Sequence, residues 1–192
     1  MLSGQEMEQH AAAATLINRM LRHVSAATEQ LAAEDVIRAA AADQIRFKYP
    51  NLVFEPRTFV LPRTRNARVK IDGASLDPAF FIEIYAHQGP LKGNQPDKLL
   101  ADALKLSLVR DLLYPSAELR LVLSDHDAAD GIMKGWPLAA LRGLGVDVWV
   151  VDIPADLRAA LVSAQERQGM VNKGTLRGLS HGFAGKVKPP RT

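Results

Sequence analysis

Any fold of this chain has to find a partner for one carboxylate. Glu83 stands inside Phe80-Phe81-Ile82-Glu83-Ile84-Tyr85, with large apolar neighbours on both sides. Aromatic and β-branched residues of this kind favour a strand, and a lone ionised carboxylate in such surroundings is costly to desolvate. Eleven residues earlier, Asp72 closes a similar short segment, Val69-Lys70-Ile71-Asp72-Gly73, and a turn-like stretch from Ala74 to Pro78 lies between the two. A divalent cation would offset the desolvation, because hard cations prefer carboxylate and carbonyl oxygens. The pair therefore reads first as a candidate metal site. Two alternatives stay open: Asp72 before Gly73 as a turn acid, and Glu83 on the solvent side of an edge strand.

The pattern around this pair predicts the order of elements. Low Gly and Pro content and helical spacing make the first ~48 residues helical. One stripe is Leu16, Ile17, Met20, Leu21 and Val24; a second helix follows Ser25 with Leu31, Ile37, Ala41 and Ile45 on one face, and ends at Pro50-Asn51. Strands are predicted at Leu52–Leu61, Arg68–Asp72 and Phe80–Ala86, with Pro56 marking an edge or a bend in the first. Gln88 to Pro96 is a loop. Asp97 to Leu113 is an amphipathic helix, with Leu99, Leu100, Ala103, Leu104, Leu108 and Leu112 on its apolar side and Lys98, Asp102 and Lys105 on the opposite face. A strand at Glu118–Leu123, a helical region at Ala128–Leu144, a strand buried on both faces at Val146–Ile153 and a helix at Pro154–Gln168 complete the order. Three successive strands followed by alternating units give a mixed sheet flanked by helices. The whole reads as a single domain over 1–168, with a loosely ordered basic tail at 169–192.

With 192 residues, 47% hydrophobic and 23% charged, the chain has ordinary globular composition. Cys is absent, which removes disulfides and thiolate metal sites and fits a reducing compartment. Met1 to Gln9 lacks the charge and apolar run of a signal peptide, and no stretch reaches the ~18 apolar residues of a membrane span. A cytoplasmic, soluble protein with no membrane partner is the expectation. The net charge of +3 is unevenly spread: Arg57, Arg63, Arg65, Arg68 and Lys70 form one stretch without an acid, and Lys173, Arg177, Lys186, Lys188 and Arg191 another. Such patches attract polyanions, so the first stretch is a candidate nucleic-acid contact; a plain solvated surface is the alternative.

Ile71-Asp72-Gly73, then Glu83-Ile84-Tyr85-Ala86, then Gly93-Asn94-Gln95-Pro96-Asp97-Lys98 opening a helix, together resemble the PD-(D/E)XK, or restriction-endonuclease-like, nuclease superfamily. The resemblance implies an α/β fold with an αβββαβ core over about residues 27–153 and an extra helix at 5–24 before it. It implies Mg²⁺ or Mn²⁺ held by Asp72, Glu83 and the carbonyl of Ile84, and often a Glu on the first core helix. Glu34 lies within the stripe of Leu31, Ile37, Ala41 and Ile45 and is the candidate for that third acid; a first-turn acid favoured by the helix dipole is its other reading.

Where the family carries lysine, two positions after the second acid, this chain has Tyr85. A phenol orients a water or phosphate but carries no positive charge near neutral pH. Lys92 and Lys98 are the candidate substitutes, and Gln95 lies one turn from Lys98. Lys98 and Asp102 would alternatively form an exposed i,i+4 pair. His87 shares the parity of Glu83 and Tyr85, and otherwise is a polar strand terminus. Asp125-His126-Asp127 reads as a helix N-cap, and Trp136 and Trp149 as core anchors. The implied function is Mg²⁺-dependent hydrolysis of nucleic acid, DNA foremost. The alternative is a catalytically inactive binding or assembly module on the same fold, in a defence or repair complex. A homodimer or larger complex through the N-terminal helix is a further expectation.

Overall fold

The computed structural model describes residues 28–62 and 66–179, with side chains up to 168. The N-terminal helix at 5–24, Arg63, Arg65 and the end of the tail lie outside the described residues. Gln30–Val162 forms one compact unit, and the sheet lies in it; Thr28, Glu29 and Ser163–Leu179 fall in a second, where Arg167 pairs with Glu29.

The protein is α/β. Helix α1 (28–44) precedes β1 (Glu55–Val60), β2 (Arg68–Leu76) and β3 (Ala79–Tyr85). Then come α2 (Gln95–Leu113), β4 (Glu118–Leu123), α3 (His126–Ile132), α4 (Gly135–Leu144), β5 (Val146–Val150) and α5 (Ala155–Leu179). The five strands form one mixed sheet in chain order. The first three form an antiparallel meander, and β4 and β5 continue the sheet parallel to β3. Antiparallel neighbours need only a tight turn, here Asp77-Pro78, whereas each parallel step needs a helical crossover.

Two apolar layers cover the sheet. On one face Leu99, Ala103, Leu106 and Val109 of α2 pack with Ile132 of α3 and Leu141 of α4 over Ile71, Phe81, Leu119 and Leu121. Phe59, Phe81 and Tyr114 meet there with ring centroids 5.3–5.8 Å apart. On the other face Ala33, Ile37 and Ala41 of α1 and Leu161 of α5 cover Phe80, Ile82, Ile84 and Val122. β3 is therefore the central strand, buried from Phe80 to Tyr85, and Glu83 is not on an exposed edge.

The structure departs from the sequence reading at several points. β2 does not end at Asp72 but runs on to Leu76, which removes the turn-acid reading of Asp72. The helical region after β4 is two helices, broken at Met133-Lys134. β5 is a half-buried edge strand with Asp147 exposed rather than a strand buried on both faces. α5 runs past Gln168 to Leu179. Trp136 is 65% exposed and anchors nothing in the core, while Trp149 is half-buried against Phe80. On α1 the buried row is Ala33, Ile37 and Ala41, and Leu31 faces out. On α2 Leu104, Leu108 and Leu112 face out as well. The expected cap is present: the Asp125 carboxylate accepts from the Ala128 N–H at 3.1 Å. At the end of α4, Gly145 takes a left-handed φ of 64° and closes the helix, as a C-terminal glycine does. Among the described residues, no helix is long and apolar enough to cross a membrane.

Candidate metal centre

A bulge in β2 builds the site. Glu55 pairs with Ala74 and Arg57 with Ile71, so the single residue Pro56 of β1 faces both Asp72 and Gly73 of β2. An extra residue bends a strand and re-aims its side chains. Pro has no N–H to give to a ladder, and the Asp72 carbonyl accepts instead from Arg38 Nε of α1 at 2.8 Å. The bulge also needs its glycine. A Cβ on Gly73 would lie 2.6 Å from Ile82 Cγ1 and 3.1 Å from Phe54 Cβ.

Asp72 and Glu83 are brought together. Gly73 pairs with Ile82 as the last β2–β3 partners before the bulge, and the charge of Asp72 adds to burial in raising the Glu83 carboxyl. The Asp72 side chain crosses to β3, where Oδ2 accepts from the Ile84 N–H at 3.1 Å. Within a strand the N–H and C=O of one residue point the same way, so the Ile84 carbonyl faces the same gap between β2 and β3.

Glu83 is buried, and its two oxygens differ. Oε2 accepts from Lys105 Nζ of α2 at 2.7 Å, while Oε1 has no hydrogen-bond partner. Burial pushes the Glu83 carboxyl up to about 9, and the negative charge of Asp72 adds to the effect; Lys105 pulls the other way without cancelling it. For Lys105, burial works against the charge, but the hydrogen bond to Glu83 and the charges of Glu83, Asp102 and Asp72 outweigh it and hold the ammonium above its ordinary range. Asp102 takes a second bond from Nζ at 3.3 Å. Asp102 thus pairs with Lys105, in place of the expected i,i+4 pair with Lys98.

Glu34 joins from the opposite layer. It is half-buried on α1 and accepts from Gln30 Nε2 at 3.2 Å. Burial raises its carboxyl, and so does the charge of Asp72; Arg38 and Lys70 act against this. Asp72 therefore lies in the field of an acid from α1 and of an acid from β3.

The remaining predicted residues flank this centre. Tyr85 is buried, and burial followed by the charge of Asp125 pushes its phenol up to about 12, so it stays neutral. Its ring stacks on His87 at 5.6 Å, and Lys98 Nζ lies 5.9 Å from the ring centre. Burial and the charge of Lys98 lower the His87 imidazole below its ordinary range. Lys92 and Gln95 bond to each other, the Lys92 N–H donating to Gln95 Oε1 at 2.7 Å. The basic stretch divides: Arg57, Arg68 and Lys70 are all exposed, but Arg57 pairs with Ile71 whereas Lys70 and Arg68 pair with Thr58 and Val60, so strand alternation puts Arg57 on one face and the other two on the opposite one.

Sequence reasoning missed Lys105 and Arg38. Lys105 was visible on the polar face of its helix with Lys98 and Asp102, but nothing in the spacing says which of the three meets β3. Arg38 follows the buried Ile37, and its role appears only when α1 is laid on the bulge.

The residues present fit a hard cation. One buried oxygen of Glu83 has no hydrogen-bond partner, the charge of Asp72 reaches the same carboxyl, and Asp72 meets β3 at the Ile84 N–H. Among the described residues no three His, Cys, Asp or Glu side chains gather around one ion position. Direct protein donors would thus be Asp72, Glu83 and the Ile84 carbonyl, with water in the other positions, as Mg²⁺ commonly keeps. Comparisons with protein families, curated proteins and solved structures return no match.

Proposed function

We propose that this protein is a Mg²⁺- or Mn²⁺-dependent nuclease on a restriction-endonuclease-like core. The observation that carries the reading is the pairing of buried Glu83, beside Asp72, with an ammonium supplied by α2. The order α1-β1-β2-β3-α2-β4 and the consecutive mixed sheet accord with an αβββαβ core.

In this reading Asp72, Glu83 and the Ile84 carbonyl hold the cation, and Glu34 acts through water. When bound, the cation supplies Lewis-acid polarisation of a phosphoryl oxygen. Lys105 takes the place of the lysine that Tyr85 displaces. An ammonium has three donors, of which Glu83 and Asp102 use two. The third is left for the attacking water or a phosphate oxygen, where a fixed positive charge stabilises developing negative charge. Tyr85, kept neutral, fills the wall of the site, and Lys98 and His87 lie beyond it toward solvent. In this reading the exposed Arg68 and Lys70, on the face of the sheet nearer Glu34, would track a phosphate backbone.

The test is divalent-metal-dependent cleavage of plasmid, linear and single-stranded substrates by the wild type, Glu83→Ala and Lys105→Ala. Loss of cleavage in both variants is expected. Cleavage that survives Glu83→Ala overturns the site. Metal binding at Glu83 without cleavage of any substrate by the wild type would instead favour the non-catalytic module.

A further inference from the structure

A cavity of about 240 Å³ opens between one face of α1 and the segment that leads into β1. Asp35, Arg38, Ala39 and Arg46 line it from the helix and the turn after it, and Leu52 and Phe54 from the other side. The volume is below the ~300–1,000 Å³ of sites for drug-sized ligands, so it suits a single heterocycle rather than a whole nucleotide.

The polar groups define which heterocycle. Arg38 is only 9% exposed. Its Nε donates to the Asp72 carbonyl and its Nη1 to Asp35 Oδ1. Among the described residues Nη2 has no acceptor and Asp35 Oδ2 no donor. A spare guanidinium donor therefore stands beside a spare carboxylate acceptor. Guanine carries the matching edge: O6 accepts, and the N1–H and N2–H next to it donate. Adenine presents an amino group in place of O6, which would set a donor against the guanidinium. Leu52 and Phe54 are buried and supply an apolar wall for the ring, as sites for unstacked bases do.

The rim suits the strand that would carry the base. Arg46 is exposed and gives one donor to Asp43, which leaves others for a phosphate oxygen. Phe47 follows it and is fully exposed. Lys48 comes next, 3.8 Å from Glu118 and 4.8 Å from the centre of the Tyr49 ring. Exposed ion pairs of this kind are weak. An open aromatic ring between two cations offers stacking and charge together, as single-strand binding requires.

We propose that this cavity receives the guanine of an unpaired nucleotide, read by Arg38 and Asp35, with Phe47 stacking on a neighbouring base. That the strand is also the substrate rests on the nuclease reading. Arg38 supplies the link, since the same side chain holds the Asp72 carbonyl at the metal centre.

Fluorescence anisotropy in EDTA tests the site without metal or cleavage. The probes are short thymidine oligonucleotides with one central guanine, one central adenine or neither. The guanine strand should bind at least ~10-fold more tightly than the other two. Ala39→Trp pushes a large ring into the cavity from an exposed helix position, and Asp35→Asn removes the charged acceptor at nearly constant shape. Each should bring the guanine strand down to the affinity of the thymidine strand, and Asp35→Asn decides the matter where tryptophan is not tolerated. Equal affinity of the wild type for the three strands overturns the proposal, as does a guanine preference that survives Asp35→Asn or a folded Ala39→Trp. Guanine-selective binding by a protein that cleaves nothing would support the cavity and overturn the nuclease reading alone.

Discussion

Lys105 reaches from α2 to place its ammonium 2.7 Å from Glu83 on the central strand β3. The contact joins the helical layer to the one acid of an apolar strand. Glu83 nevertheless keeps one oxygen without a partner. The contact therefore satisfies only half of the carboxyl group.

Removing the lysine separates its two roles. Lys105→Met keeps most of the stem and removes the charge. Breaking a buried pair usually costs about 3–5 kcal/mol, but Glu83 is already inclined to hold a proton, so a loss of only about 1–3 kcal/mol is expected. Metal-dependent cleavage should fall at least ~100-fold. Urea unfolding and initial rates measure the two effects, and an unchanged rate would remove Lys105 from the mechanism.

Stability should fall as the solution is made alkaline. A carboxyl whose folded pKa is raised stabilises the fold below its unfolded pKa, and that contribution is lost as pH rises through the folded value. For Glu83 the window runs from about 4.5 to about 9. His87, lowered from 6.5, works in the opposite sense only in the acid part of this window. Between pH 7 and 9 Glu83 should dominate, with a slope of at most about 1.4 kcal/mol per pH unit. Glu83→Gln should flatten the profile and be the more stable form at pH 9. An equal slope in the variant would show that Glu83 does not hold the proton.

Metal binding should release that proton. A ligand carboxyl must be ionised, so apparent Mn²⁺ affinity should rise by up to about tenfold per pH unit between pH 7 and 9. Calorimetry in two buffers of different ionisation enthalpy measures the proton count directly. Affinity independent of pH would place the ion away from Glu83.

The bulge has its own test. Gly73→Ala puts a methyl 2.6 Å from Ile82 Cγ1, and overpacking of this kind costs about 1–3 kcal/mol. Ile82→Ala in the same chain should relieve the clash, so the double variant is less destabilised than the sum of the single changes. Thermal melts of the four proteins close the cycle, and strict additivity would mean that the two residues are not in contact.

Much of this architecture was legible in the residues. Pro56 announced an irregular edge strand, and it faces the bulge. Asp125 was readable as a cap because its bond is local. Glu34 was readable as an acid within an apolar stripe; it is only half-buried, and the charge of Asp72 reaches its carboxyl. The α2 leucines were misjudged, because Leu99, Ala103 and Leu106 and the row from Leu100 to Leu112 both satisfy helical spacing. Periodicity describes a face without saying what it meets. Lys105 was missed for the same reason, since Lys98, Asp102 and Lys105 share one polar face and only the docking angle of α2 chooses among them.

By itself the sequence determined the order of strands and helices and the presence of a carboxylate in an apolar strand, because propensity, alternation and turn chemistry act between neighbours along the chain. The tertiary structure alone decided that β2 bulges opposite Pro56, that Asp72 turns its side chain to Ile84, and that Lys105 rather than Lys98 meets Glu83. Those relationships depend on register and on the seating of a helix across a sheet, which are settled by close packing among residues far apart in the chain.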